Sequence, residues 1–500
     1  MILEDIQLGL SDPWWRICNL YWIVDKDGRP VRFVPNDEQT DFYQQLHTRN
    51  AVLKARQKGF STLMQIIGLD QCLFNDNFTS NTIADTLPNA GKLFRKAAFA
   101  YDRLPEVIKA SRPLKSRTGS EMVFENGSSF SVGTSARGGT VQFLHISEMG
   151  KIAKKYPEKA REIVTGAFEA VPLNGVIVVE STAEGNGGEF FDICDAALKK
   201  REAKSSMTEL DFKLHFYPWF ASQEYRIKAD GVVFTEADKK YFREVEAKTG
   251  TKLDEQQRIW YIKKRGILKR DMKREYPATI KESFEQAIEG AIYGDEMTTL
   301  RERGRICAVP VDLLEPVSTF WDLGSNDHTA IWLHQRVGAW DHFVGYMHGT
   351  RIGLRKWWDA LEEWRLLHGV EKWARHYLPH DGASERQGEE IESAKSILEG
   401  LGVRNVEIVP RVTALAVGID KTRAAMVKGV RMDEAACAEG IRCLDSYQFE
   451  WDEKRGQWRN DPLHNWASNG ADAFRQWAQG YQPGTATDLS SKKNRKRSWR

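Results

Sequence analysis

Ala51-Val52-Leu53-Lys54-Ala55-Arg56-Gln57-Lys58-Gly59-Phe60-Ser61-Thr62 carries an apolar, strand-like run into a basic loop with a glycine, and from there into an apolar helix pattern. That order is the context in which a loop holds phosphate, because the start of a helix offers unpaired backbone N–H groups. The usual spacing G-x-x-x-x-G-K-[ST] is kept in part. Gly59 and Ser61 stand where the second glycine and the magnesium-binding hydroxyl belong, while Lys54 takes the first glycine's place and Phe60 the lysine's. Charge on the β- and γ-phosphates still needs a cation, so either Lys54 or Arg56 supplies it. Gln57, Lys58 and Thr62 complete the candidate loop. Taken alone, the string also reads as a basic turn that contains a glycine.

Outward from the loop, the first half alternates apolar runs with helical stretches. Phe143 to Ile146 and Gly175 to Glu180 are uninterrupted apolar runs of the kind that form central parallel strands, covered on both faces. An α/β domain with a mainly parallel sheet follows. Phe143-Leu144-His145-Ile146-Ser147-Glu148 delivers an acid to the carboxyl end of its strand, where ligands bind in such sheets. Glu148 is the candidate for orienting an attacking water, with an exposed strand-end carboxylate as the alternative. Ser147 stands where a Walker B aspartate is common, which weakens or makes indirect the expected hold on Mg²⁺. Upstream, Gln39 in Pro35-Asn36-Asp37-Glu38-Gln39 has the amide donor and acceptor to read an adenine edge, or is a surface residue at a helix start.

From about Pro316 the pattern changes. Three short strand candidates, Ser318 to Leu323, Thr329 to Gln335 and His342 to Met347, suit an antiparallel meander. Leu354, Trp357, Leu361 and Trp364 then form one helical stripe from Leu354 to Leu367. A strand up to His380, a helix near Glu389 to Leu401 closed by Gly402, a strand from Val406 to Val409 and a last helix from Ala471 to Ala478 follow. This is the element order of an RNase H-like fold with a mixed sheet. The division predicted is 1–305, with a linker around Glu282 to Arg305, then 306–485, then a disordered basic tail over 486–500 that is either solvated or a docking element.

Three carboxylates fall where an RNase H-like nuclease needs them: Asp322 on the first strand, Asp381 after the fourth, and Asp472 on the last helix. Each alone is more often a turn or cap residue. Together they predict a shared site for Mg²⁺ or Mn²⁺, two ions of which, about 3.5–4 Å apart, stabilise both the attacking and the leaving oxygen of a phosphodiester displacement. Asp327 is an auxiliary ligand or a turn residue. His464 positions metal, water or phosphate, or caps a helix. On the third strand, His348 takes the place where similar RNase H-like nucleases often carry a Glu, so the resemblance implies no fourth carboxylate ligand.

Composition bounds these readings without deciding them. Of 500 residues 41% are hydrophobic and 28% charged, so most of the chain is expected to fold. Its 72 Lys and Arg nearly balance 70 Asp and Glu, a net charge of +2, so any nucleic-acid contact depends on local patches. Six scattered cysteines show no zinc spacing and fit a reducing compartment. No apolar run nears the roughly 18 residues of a membrane span, and no signal-peptide pattern opens the chain.

The order Gln39, Arg56-Gln57-x-Gly59-x-Ser61, Ser135-x-Arg137-Gly138, Ser147-Glu148 and Ser181-Thr182-Ala183 resembles that of the large terminase subunits of tailed bacteriophages. So do Glu275-Tyr276-Pro277 with Glu282 and Phe284, and Pro462-Leu463-His464 to Ser468-Asn469-Gly470-Ala471-Asp472, although Asn469 replaces a frequent His. The likeness runs from about Pro35 to Ala478. It implies a P-loop ATPase using ATP and Mg²⁺, and an endonuclease using Mg²⁺ or Mn²⁺. It implies that Ser181, Thr182 and Ala183 couple hydrolysis to movement, and that Arg137 stabilises charge or contacts DNA phosphates. The partners implied are double-stranded DNA, a portal protein, a small terminase subunit and further copies in a ring, with no membrane. The place implied is the host bacterial cytoplasm, without retention in the mature virion. Two other readings stand beside it: another RNase H-fold DNA-processing enzyme (an integrase or helicase-nuclease), and a binding protein with decayed sites.

Overall fold

All six residues of Arg49–Lys54 (β1) are buried, which explains why that strand shows no apolar alternation: helices cover both faces of its sheet. The computed structural model describes residues 9–135, 139–284, 290–324, 328–383, 393–412, 414–452 and 457–481. β1 is joined by Thr79–Ile83 (β2), Leu114–Arg117 (β3), Glu121–Phe124 (β4), Ser129–Gly133 (β5), Phe143–Ser147 (β6), Val176–Ser181 (β7) and Lys213–Tyr217 (β8). The strand order is β8-β1-β7-β6-β2-β5-β4-β3. The first six strands run parallel and the last two close the edge antiparallel. Val52 and Val178 enter one core while Ala51, Leu53, Ile177 and Val179 enter the other, so period-two alternation is present but hidden by burial on both sides.

Helices Asp37–Gln44 (α1), Phe60–Phe74 (α2) and Leu87–Asp102 (α3) frame the loop that follows β1. Asn36 and Gln39 form a capping box at the start of α1, which fixes where that helix begins. Gly59 stands at the N-cap just before α2, its φ of 75° is left-handed and needs no Cβ, and no side chain caps the first turn. A separate aromatic cluster including Trp219, Phe242, Tyr261 and Tyr276 underlies helices Glu236–Thr249 and Glu255–Leu268.

The chain divides into compact units Met1–Gln286 and Ala287–Arg500. The boundary is thus earlier than 305/306. Ile292, Tyr293, Met297 and Leu300 are buried with the second unit's core, so helix Gly294–Glu302 belongs there and does not act as linker.

In the second unit, Ile306–Cys307 (β9), Val317–Asp322 (β10), His328–Val337 (β11), Trp340–Thr350 (β12), Trp373–Leu378 (β13), Val406–Ile408 (β14) and Val430–Asp433 (β15) form a sheet ordered β9-β15-β12-β11-β10-β13-β14. β10, β11 and β12 are the antiparallel meander, and β13 and β14 extend β10 in parallel. The expected strand and helix order is present, with additions the sequence pattern did not reveal: Leu415–Gly429 (α5), β15, Ala438–Ser446 (α6) and a hairpin of Phe449–Asp452 and Gln457–Pro462. Helix Leu354–Leu367 (α4) has the predicted bounds, with Trp357 and Leu361 in the core and Leu354 and Trp364 against it. The last helix is longer than expected, Trp466–Gly480 (α7). Among the described residues no helix is long and apolar enough to cross a membrane, and all six cysteines are free.

Candidate functional site

At the carboxyl edge of the first sheet, β7 lies between β1 and β6, so the ends of these three strands meet. Lys54 closes β1, Ser147 closes β6, and Glu180 precedes the last residue of β7. Glu180 is the residue that sequence reasoning missed. Its Oε1 accepts from Ser61 Oγ at 2.5 Å, Ser147 Oγ at 3.3 Å and His145 Nε2 at 3.2 Å. Its Oε2 faces Lys54 Nζ at 3.4 Å. His145 Nδ1 lies 3.2 Å from the Gln65 amide nitrogen, so Nδ1 accepts and Nε2 carries the proton donated to Glu180. Burial lifts the Glu180 carboxyl, yet the Lys54 charge and the bonds from His145 and Ser61 outweigh it and hold the group far below the usual carboxylate range. A carboxylate directly after the apolar run Val176-Ile177-Val178-Val179 and still within the buried strand was the available signal, because a buried charge demands partners.

Burial also opposes the charge on Lys54, but Glu180 and Glu148 prevail and its pKa is raised. Arg56 is half-exposed and ion-paired with Glu275, and its backbone N–H donates to the Glu275 carbonyl at 3.0 Å. Of the two candidate cations, Lys54 is therefore the one beside Ser61 and the strand ends. Lys58 is buried: it contacts Glu38 and donates to the Pro218 carbonyl and Ser222 Oγ, each at 2.8 Å. Its pKa is pushed down to about 8 by burial, against the pull of Glu38. Lys58 thus anchors the loop from beneath. Gln57 is left-handed (φ 59°), a conformation that costs a non-glycine residue about 1–2 kcal/mol. Thr62 Oγ1 accepts from Lys96 Nζ at 3.0 Å.

Gln39 has partners within the chain at both ends of its amide. Its oxygen accepts from Asn36 N at 2.9 Å and its nitrogen donates to the Gly59 carbonyl at 2.8 Å, clamping α1 to the loop. Phe60, at the usual lysine position, points into the core, 5.6 Å from Phe42 and 4.8 Å from Tyr217 between ring centroids. Phe60→Lys, which restores the familiar motif, is therefore expected to lower stability by roughly 3–5 kcal/mol without raising ATP turnover. Urea unfolding reads the first effect and phosphate release the second. A variant as stable as wild type with faster turnover would contradict this packing role.

Glu148 has φ 61°, ψ 42° at the start of helix Met149–Lys155, and its Oε2 pairs with Lys151 Nζ at 2.8 Å. Strained non-glycine residues of this kind gather at functional sites. Ser181 Oγ and Thr182 Oγ1 are buried with no hydrogen-bond partner among the described residues, while Ala183 is part of the core. Gly150 permits the close packing here, since a Cβ there would sit 2.8 Å from Ser181 Oγ. Arg137 and Gly138 lie outside the described residues, as do Asp327 and the basic tail. Glu275 ties down both Arg56 and Arg274, Tyr276 packs in the aromatic cluster, and Glu282 accepts from Tyr241 at 2.8 Å. These are scaffold roles.

In the second unit, alternation along β10 puts Asp322 on the same face as Phe320, the face that α7 covers. Asp322, Asp381 and Asp472 line one cleft of about 370 Å³, together with His380, Arg475 and Gln476. Asp381 belongs to the 3-10 turn His380–Ala383 after β13. Asp322 accepts from Asn469 Nδ2 at 3.1 Å, a contact the sequence did not suggest. Asp472 Oδ1 accepts from Arg475 at 2.8 Å and Tyr447 at 3.3 Å. Among the described residues no three His, Cys, Asp or Glu side chains close tightly enough to cage an ion; two of the three carboxylates are engaged with protein donors. The donor set nevertheless fits hard divalent cations: carboxylate oxygens around one cleft, mutually repelling.

That repulsion has a measurable sign. Burial, then the charge of Asp472 and more weakly that of Asp381, raise Asp322 from 3.8 to about 7, against Asn469 and Arg475. A raised acid stabilises the fold fully below its unfolded value, and that contribution is lost as pH climbs through the folded value. In EDTA, Asp322→Asn is expected to gain melting temperature on wild type between pH 4 and 7 and to keep that gain above pH 7. A pH-independent difference would contradict it.

His464 Nδ1 contacts Ser468 Oγ at 3.2 Å, and Asn465 is the residue that caps α7. Register places Asp322, Ala330 and His348 in one cross-strand row.

No family model matches the chain, and no curated protein matches it. Among solved structures it is similar to the large terminase of bacteriophage HK97, at 12% identity over 94% of this chain and 99% of that one, with a TM-score of 0.45. It is similar to the large terminase ATPase domain of Thermus phage P74-26, at 18% identity over 49% of this chain and 94% of that one, TM-score 0.35. The nuclease domain of the P22 large terminase is similar at 15% identity over 35% and 84%, TM-score 0.26.

Proposed function

We propose that this chain is the large subunit of a tailed-phage DNA-packaging terminase, an ATP-driven motor joined to a DNA endonuclease. The observation that carries the reading is a conjunction: one chain holds two sites suited to phosphate chemistry, each at the edge of a sheet in its own compact unit.

In the first site Lys54 neutralises phosphate charge, the uncapped start of α2 supplies backbone N–H donors, and Glu148 aligns the attacking water and takes its proton. Magnesium, when bound with ATP, shields the phosphate oxygens. Among the described residues the buried hydroxyls of Ser181 and Thr182 have no hydrogen-bond partner, and each such group costs about 1–3 kcal/mol. A nucleotide-dependent change of partner there passes hydrolysis on to the rest of the unit. In the second site Asp322, Asp381 and Asp472 would hold divalent ions, which would stabilise the attacking and leaving oxygens, and Asn469 and Arg475 hold two of these carboxylates in place.

The substrate is double-stranded DNA, translocated into a procapsid and cut from a concatemer. A portal protein, a small terminase subunit and further copies in a ring are the partners, in the host cytoplasm, and the chain leaves before the virion matures. Supercoiled plasmid incubated with purified protein tests the reading. Mn²⁺ or Mg²⁺ is expected to give linear and nicked products, EDTA none, and the same preparation is expected to release phosphate from ATP. Absence of both activities with well-folded protein would overturn it.

A further inference from the structure

We propose that Glu180 is the metal-holding carboxylate of the nucleotide site, supplied by β7 in place of the missing aspartate at position 147; the inference rests on the ATPase reading above. β6 and β7 are adjacent parallel strands in which Ser147 and Glu180 are direct partners. Neighbouring strands are about 4.8 Å apart, a gap that the longer side chain of a glutamate spans. Its carboxylate lies between the two groups a magnesium–phosphate complex must meet: Ser61 Oγ at 2.5 Å and Lys54 Nζ at 3.4 Å. The side chain is 1% exposed, and its Oε2 makes no hydrogen bond among the described residues.

Ser147 then has its own explanation. An aspartate there would set two buried carboxylates side by side, each opposing the other's ionisation. A serine instead donates to Glu180 at 3.3 Å. The donors around the carboxylate, two hydroxyls and an imidazole N–H, fix it in one orientation, and the oxygen set of Ser61, Ser147 and Glu180 suits a hard cation. The competing role is that of a counter-ion whose whole task is to keep Lys54 buried. The two differ in what metal does to nucleotide affinity.

The test uses the full-length chain, a fluorescent ATP analogue, and Mn²⁺ or EDTA, with bound Mn²⁺ read by electron paramagnetic resonance. Wild type is expected to bind the analogue in EDTA and to bind it more tightly with Mn²⁺. Glu180→Gln, compared with its own affinity in EDTA, is expected to lose about 10- to 100-fold of the gain in affinity that Mn²⁺ gives the wild type. The swapped variant Ser147→Asp/Glu180→Gln restores a carboxylate facing Lys54 and is expected to recover that loss. It also serves where the single variant fails to fold. Equal loss with and without metal in Glu180→Gln, or a folded swap that binds nucleotide in EDTA but gains nothing from Mn²⁺, overturns the proposal while leaving the ATPase reading intact. Wild type that binds no nucleotide under either condition overturns both.

Discussion

Glu148→Gln is expected to reduce ATP turnover by about 10²- to 10⁴-fold while leaving nucleotide binding and metal-dependent DNA cleavage at wild-type levels. The residue stands at the end of β6 in a left-handed conformation that only a firm surrounding structure maintains. Its carboxylate is near enough to Lys54 to raise that ammonium's pKa. Gln keeps the shape and can still accept a hydrogen bond, but it neither takes up a proton nor carries charge. The effect therefore falls on the chemical step and leaves binding untouched. Steady-state phosphate release and equilibrium nucleotide titration separate the two. A variant that turns over ATP at the wild-type rate would move the role of water-orienting residue elsewhere.

Asp381→Asn is expected to do the reverse, cutting DNA cleavage by at least about 10²- to 10³-fold, the equivalent of several kcal/mol of metal-derived stabilisation, with ATP turnover unchanged. Of the three cleft carboxylates it makes the cleanest substitution. Asp322 is bonded to Asn469 and Asp472 to Arg475 and Tyr447, so changing either also disturbs the packing around it. Asp381 sits in a turn and has no hydrogen-bond partner among the described residues. Plasmid cleavage in Mn²⁺ and phosphate release from ATP, measured on one preparation, give the two readouts. Loss of both activities would argue against two separate sites.

The parts legible in the sequence were those written in local periodicity. The stripe Leu354, Trp357, Leu361 and Trp364 set the bounds of α4, and three closely spaced strand candidates joined by short polar turns pointed to the meander. The carboxylates were legible because each lies in or just after a recognisable element, and they do line one cleft. What stayed hidden depends on neighbours distant in sequence. Glu180 looks like the polar end of an apolar strand until β6 and β1 are placed beside it. Lys58 looks like a phosphate ligand until Glu38 and Ser222 claim it. Gln39 read either as a base-edge reader or as a residue at a helix start, and cap and loop bonds engage both ends of its amide. The unit boundary was misplaced because helix Gly294–Glu302 carries apolar residues that fit either neighbour by pattern, and only packing assigns Met297 and Leu300 to the second core. Helix α5 was missed because its buried positions include Gly418, Thr422 and Gly429, which interrupt an apolar stripe.

Whether the three carboxylates share divalent metal is decided by diffraction from crystals soaked in manganese, recorded at an energy where manganese scatters anomalously. Anomalous density is expected in the cleft within coordination distance of Asp322, Asp381 and Asp472, lost when Asp381 is replaced by Asn. Manganese bound elsewhere, with that cleft empty at millimolar metal and a pH above 7, would contradict it.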